Sequence, residues 1–471
     1  MKSLEVTAIA AGAAYLIALG WAMQNLSYDI WGAFVVVPVL AVISAPMITR
    51  ALDGDLAFLR PWVWAGMFVK FAGAIVGYNV RFDQYGGSAD AGRYHNYGKV
   101  LAEDVRSGLA TPFALIPRAT GTQFVETLTG AVYTFFGSSR LGGFMVFTWM
   151  SFWGLVFFVK AAHHAIPGLA TRRYAIAVFV FPSLVYWGSS IGKEAFVGLC
   201  LGVTAYGAAL VLTRRGNVGY GVVLTVVGLA GAGFVRPHFA AIWAGGILIA
   251  LVARVVLDAS GRGDTDTKRR LQVGTLVLVA VAGIGFVIIA TVTINFLPTD
   301  AGDDTTDAGV GGQLSSIFEE VEDRTTQGGS SFQPMSVSSP VNWPFAAFRT
   351  ITRPMITEAS GLASLLPAVE MTGLLLVAVF SWRRLLNAPK LMLTVPYLVF
   401  AALCVVTFGV AFASIGNLGI LVRQRSLVLP LVLLFWCLPP IVFASERRLA
   451  STAATRRGVG STDDAASVTT R

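Results

Sequence analysis

The chain has 471 residues, 55% of them hydrophobic and 13% charged, with a net charge of +9 and a mean hydropathy of +0.68. Soluble globular chains carry about 25% charged residues, so this composition excludes a soluble enzyme or binding module and describes an integral membrane protein. The basic excess sits in short loops between apolar runs, which is a topology signal rather than a nucleic-acid surface; no nucleic-acid partner is expected.

Backbone polar groups in lipid must be satisfied within their own segment, and a helix of about 20 apolar residues does this. Long runs such as "VGTLVLVAVAGIGFVIIATVTI" (273–294) lack the alternation of barrel strands. The expected fold class is therefore all-α, a polytopic helical bundle. Lys2 and the apolar run behind it read as a signal anchor that stays as the first span. Spans are expected near 6–23, 30–48, 61–80, 140–160, 174–188, 191–212, 220–235, 238–257, 271–296, 362–381, 391–412 and 424–444, about twelve in all. Cys200, Cys404 and Cys437 fall inside apolar runs and read as small buried hydrophobes.

Basic loops at 163–173, 213–217, 261–270 and 382–390, with the tail from Glu446, then fall on one side, which is expected to be cytoplasmic. The apolar segment 122–137 carries Glu126; if it spanned, the later arginine loops would swap sides, so it reads as a re-entrant or interfacial helix. Both termini are expected inside. Residues 1–445 form a single transmembrane domain with external segments 81–121 and 297–361, and 446–471 form a cytoplasmic tail whose composition reads as disordered. The stretch "DDTTD" (303–307) has the aspartate spacing of magnesium-holding prenyl-diphosphate enzymes, but that motif belongs on a helix, and here it lies among Gly and Thr.

On this topology the external face gathers charge at the starts of helices. "SSIGKEAF" (189–196) carries Lys193 and Glu194, "VRPHFA" (235–240) carries Arg236 and His238, "ITRPMITEASG" (351–361) carries Arg353 and Glu358, and "LVRQRS" (421–426) carries Arg423 and Arg425. External loops are poor in Lys and Arg as a rule, so this recurrence suggests a shared anion site. Lys193, Arg236, Arg353, Arg423 and Arg425 are the expected ligands of a phosphate or diphosphate, since Arg presents a rigid donor fork to phosphate oxygens. Each cluster taken singly also fits residues that snorkel at the membrane boundary.

The stretch "GGSADAGRYHNYG" (86–98) joins the set. From Ser88 as N-cap to Gly108 as stop, an amphipathic helix is expected, with Tyr94, Tyr97, Leu101 and Val105 on the face toward the membrane. Asp90 is the expected catalytic base toward a sugar hydroxyl, or a ligand for a divalent cation, or a helix-start residue. His95, His238 and Glu358 are further acid/base candidates, and Arg93, Tyr94, Tyr97 and Glu194 are candidates for the acceptor or sugar. No cofactor is required by any residue pattern.

Taken in order, "GGSADAGRYH", "PSLVYWGSSIGKEA" (182–195), "RPH" (236–238), "RPMITEA" (353–359) and "GNLGILVRQR" (416–425) are similar to motifs of bacterial polytopic glycosyltransferases of the GT-C type and of the related Wzy-like and EpsG-like polysaccharide polymerases. The resemblance implies a bacterial plasma-membrane enzyme of the cell envelope that takes a sugar from a polyprenyl-linked donor to a glycan or lipid-linked acceptor at the extracytoplasmic face. It assigns the acidic role to Asp90 and the donor-phosphate role to Arg353, Arg423 and Arg425. Two other readings stay open: a transporter or flippase of lipid-linked saccharides, and a non-catalytic protein of envelope assembly.

Overall fold

The computed structural model describes residues 2–84, 86, 90–260, 340–359 and 362–441. The expected span 271–296, the stretch "DDTTD", Ser88 and the tail 446–471 lie outside the described residues. In chain order the helices are α1 (Lys2–Asn25), α2 (Tyr28–Ala51), α3 (Arg60–Asn79), α4 (Asp90–Arg106), α5 (Thr122–Phe136), α6 (Arg140–Ala165), α7 (Thr171–Val180), α8 (Pro182–Trp187) and α9 (Lys193–Thr213). They continue with α10 (Val218–Val235), α11 (Pro237–Ser260), α12 (Trp343–Thr352), α13 (Leu362–Phe380), α14 (Trp382–Leu385), α15 (Ala388–Met392), α16 (Pro396–Ala411), α17 (Leu418–Arg425) and α18 (Leu429–Phe435). Among the described residues there is no strand, and the architecture they form is all-helical.

Six helices among the described residues are long and apolar enough to cross a membrane: Tyr28–Ala51, Gly54–Gln84, Arg140–Ala165, Lys193–Thr213, Val218–Val235 and Pro237–Val255. Two bent pairs, Ser364–Phe380 with Trp382–Met392 at 73° and Leu418–Arg425 with Leu429–Phe435 at 65°, raise the number to eight if each counts as one span. The expected count of about twelve is not reached among these residues: one expected span, 271–296, lies outside them, and another, 174–188, is broken. The segment 174–188 is two short helices, because Pro182 has no N–H for the helix ladder and pushes Phe181 into an extended conformation. The N-terminus of α8 is instead capped from another helix: the Glu370 carboxylate accepts from Ser183 N at 2.9 Å and from Ser183 Oγ at 2.6 Å.

Glycines set how closely the central helices approach. A Cβ on Gly154 of α6 would stand 2.4 Å from the Gly198 carbonyl oxygen of α9, so the two backbones cross nearly in contact. Such small-residue crossings replace the hydrophobic driving force that lipid cannot supply. Around this pair the bundle has two distinct ends. Asp29 pairs with Arg140 at 3.4 Å where α2 and α6 begin, and Arg236 reaches Glu194 where α9 and α11 begin. At the other end, the His164 ring lies 3.0 Å from the Arg215 carbonyl, Arg173 donates to Ser381 Oγ at 2.6 Å, and Ala170 N donates to the Cys437 carbonyl at 2.9 Å. α9, with 21 residues, runs from one end to the other over about 30 Å.

α4 and α5 pack on each other at the first end. α5 has 15 residues, about 22 Å of helix, which is short of the ~30 Å hydrocarbon core. Tyr94, expected with Tyr97 on the face toward the membrane, is instead turned into the protein. Ala91, Tyr94, His95, Gly98 and Ala102 are buried, whereas Tyr97 is 62% exposed. The reason is steric: a Cβ on Gly98 would lie 2.6 Å from Thr129 Cγ2 and 2.9 Å from Gly130 N, so the small residues, not the tyrosine pair, choose the docking face.

Candidate functional site

Asp90 opens α4, Glu194 sits in the first turn of α9, Arg236 stands between α10 and α11, and Arg423 lies near the end of α17. These four meet. Arg423 donates through Nη1 and Nη2 to Asp90 Oδ2 at 3.1 Å each and through Nε to Glu194 Oε1 at 2.5 Å. Arg236 donates through Nη2 to the same Glu194 oxygen and through Nη1 to Gln424 Oε1. The Glu194 side chain is 4% exposed and the Asp90 side chain 56% exposed. One carboxylate is thus a buried brace shared by two guanidiniums, and the other faces outward.

Lys193 feels the charges of Arg236, Asp90, Glu194 and Arg423, and Arg81 those of Arg423 and Glu194. Arg81 rests on the Tyr186 ring at 4.9 Å. Four cations therefore stand around two carboxylates, an excess of two positive charges at one end of an apolar bundle. In addition, Arg236 Nε is a buried donor without a hydrogen-bond partner and His238 Nε2 is buried and unpartnered beside it; buried polar atoms left in this way are uncommon. The arrangement suits an anion that brings its own oxygen acceptors. Among the described residues no three His, Cys, Asp or Glu side chains converge as a metal would need.

The remaining candidates divide. Tyr94 belongs beside the cluster: it is buried, and burial together with the Asp90 charge pushes its phenol up to about 12. Its neighbour Arg93 turns to Glu126 of α5 at 2.6 Å. His238 is buried near Arg236 and Lys193 and packs on Phe239 and Phe412. His95 is not in the cluster. It is 3% exposed and lies 2.7 Å from Tyr133 Oη, and burial and the Arg140 charge lower it to about 4, so the ring is neutral at pH 7.

Arg353 and Glu358 form their own pair at 2.8 Å, with Arg349 at 3.3 Å. Burial works against ionisation of Glu358, but hydrogen bonds from Arg353 and Met355 N with the arginine charges hold the carboxyl below its ordinary range. Arg425 departs from the expected phosphate role: it is 0% exposed and donates through Nη1 to the Ile351 carbonyl at 3.1 Å and to the Arg353 carbonyl. It ties α17 to the end of α12.

Three residues stand outside the sequence-based set. Arg81 and Gln424 join the cluster as described. Lys70, in the middle of α3, is fully buried and donates to Ser151 Oγ at 2.9 Å and the Leu184 carbonyl at 2.8 Å. Ser151 lines an internal cavity of about 20 Å³ that extends to Glu194 and Ser426, room for about one water. A lone ionisable side chain inside an apolar span is costly and marks function by default; that signal was present in the run 61–80.

Comparison with protein-family models, with curated proteins and with solved structures finds no match to this chain.

Proposed function

We propose that this protein is a membrane glycosyltransferase or polysaccharide polymerase that uses a sugar donor carried on a polyprenyl phosphate or diphosphate. The observation that carries the reading is the chain of ion pairs Asp90–Arg423–Glu194–Arg236, with Lys193 and Arg81 beside it. A surplus of positive charge at the end of an apolar bundle fits a ligand that is anionic at one end and hydrocarbon at the other.

In this reading the donor tail lies among the helices, and its phosphate takes the Arg423 Nη1 and Nη2 donors from Asp90 Oδ2. The released Asp90 carboxylate accepts the proton of an acceptor hydroxyl as that oxygen bonds to the anomeric carbon. The bond from the anomeric carbon to the donor phosphate breaks, and its electron pair leaves with the phosphate. The developing charge falls on Arg423, Arg236 and Lys193, already oriented before the reaction. Attack from the side opposite the leaving phosphate inverts the anomeric centre. The acceptor, a glycan or a lipid-linked saccharide, approaches along the exposed side of α4, where Arg93 and Tyr97 stand. The site would face the extracytoplasmic side of a bacterial plasma membrane.

Asp90→Asn and Arg423→Ala, assayed for glycan elongation in membranes supplied with polyprenyl-linked sugars, test the mechanism. Each is expected to lower elongation by about 100-fold or more, and undiminished elongation in both overturns it. A transporter or flippase of lipid-linked saccharides is supported by a separate observation. The helix run α7–α8 is interrupted within the bundle at Phe181 and Pro182, and two further helix pairs bend by 73° and 65°, discontinuities of the kind that build transporter sites. Retained elongation with lost translocation in the same variants selects that reading.

A further inference from the structure

At the end of the bundle remote from Asp90, Arg172 and Arg173 line an open depression in the surface with Ala170, Thr171 and Ile176. The Arg172 guanidinium is set 4.7 Å above the Trp62 ring of α3, which orients it. Arg173 is steadied by one hydrogen bond to Ser381 Oγ and faces Cys437, as Arg384 does. Among the described residues no carboxylate pairs with Arg172 or Arg173, so their charge is unopposed, unlike that of Arg423 and Arg236.

The outward strip of α7 continues the pattern. Tyr174 and Val178 turn into the core, while Arg172, Ile176 and Val180 follow one another at four-residue spacing on the outer side, with Val180 55% exposed. Cations at the end of the bundle thus give way to apolar surface along the same strip. An amphiphile with an anionic head matches this order, and basic pockets between spanning helices are known binders of lipid headgroups.

We propose that the Arg172–Arg173 surface depression binds the phosphate of an anionic membrane lipid, with the acyl chains laid along Ile176 and Val180. Arg172 supplies a forked donor fixed by its stack on Trp62, and Arg173 supplies the N–H groups that Ser381 does not take. The site is separate from the Asp90 cluster and does not depend on the function assigned there.

The full-length protein in detergent, titrated with phosphatidylglycerol, phosphatidylcholine and inorganic phosphate and followed by native mass spectrometry, tests this. Phosphatidylglycerol is expected to bind at least tenfold more tightly than phosphatidylcholine or inorganic phosphate. The double variant Arg172→Ala, Arg173→Ala is expected to lose at least tenfold of that affinity. Arg172→Gln, at an exposed position, covers the case of a double variant that does not fold, with an expected loss of at least threefold. Unchanged phosphatidylglycerol affinity in the variants overturns the site. Inorganic phosphate binding as tightly as the lipid overturns the lipid as its occupant.

Discussion

Arg236 and Arg423 share one carboxylate oxygen of Glu194 at one end of the bundle, whereas Arg173 and Arg384 at the other donate to a serine hydroxyl and to the Leu438 carbonyl. The first arrangement neutralises charge with charge, so an incoming anion exchanges with a carboxylate already in place. The second leaves the guanidinium charge whole and only fixes its position. The difference separates a network able to respond to a ligand from a static field that attracts one.

The sharpest way to break this comparison is Glu194→Gln. It keeps the shape of the brace and removes its charge, leaving Arg236 buried beside Arg423; a loss of about 3–5 kcal/mol is expected, read as a fall in melting temperature in detergent. His95 supplies the next test. Its value of about 4 in the fold lies below that of an unfolded histidine, about 6.5. Between the two it is the unfolded chain that binds the extra proton, so this stability is whole above pH 6.5 and declines as pH falls toward 4, by about 3 kcal/mol at most. His95→Gln should flatten that part of the pH profile of the melting temperature.

Gly98→Val sharpens the contribution of α4. The added side chain meets Thr129 and the Gly130 backbone, so a loss of about 1–3 kcal/mol is expected; under the proposed function elongation falls as well, because Asp90 moves with its helix. A variant of full stability and full elongation would show that α4 docks elsewhere. Ser381→Ala at the far end is the smallest change, about 1 kcal/mol. A cost equal to that of Glu194→Gln would erase the contrast between the ends.

Much of the cluster was legible because charged residues at helix starts are rare enough on one side of a membrane to count as a pattern. Lys193 and Glu194 came from one such stretch, Arg236 from a second and Arg423 from a third, although Arg423 stands in the last turn of α17 rather than at a start; Asp90 came from a fourth segment. What failed did so for geometric reasons. Residues two apart on a helix point about 200° away from each other, so "LVRQRS" presents Arg423 to the cluster and turns Arg425 into the core. Tyr94 and Tyr97 looked like one apolar face, but in a close crossing the small residues decide which side docks, and Gly98 with Ala102 outranks the larger tyrosine. Pro182 was visible inside the run 174–188, yet an unbroken span was the simpler expectation. The helix class was readable throughout from composition alone, whereas the bends at Ser381 and Ser426 depend on packing between distant segments.

Glu194 Oε1 also imposes an order on biosynthesis. It joins residues 194, 236 and 423, so the brace is half-made when α11 inserts and stays so until α17 emerges. A nascent chain stalled between those helices would hold Glu194 with Arg236 alone. Completion of the last helices therefore acts as the licensing step for the whole network.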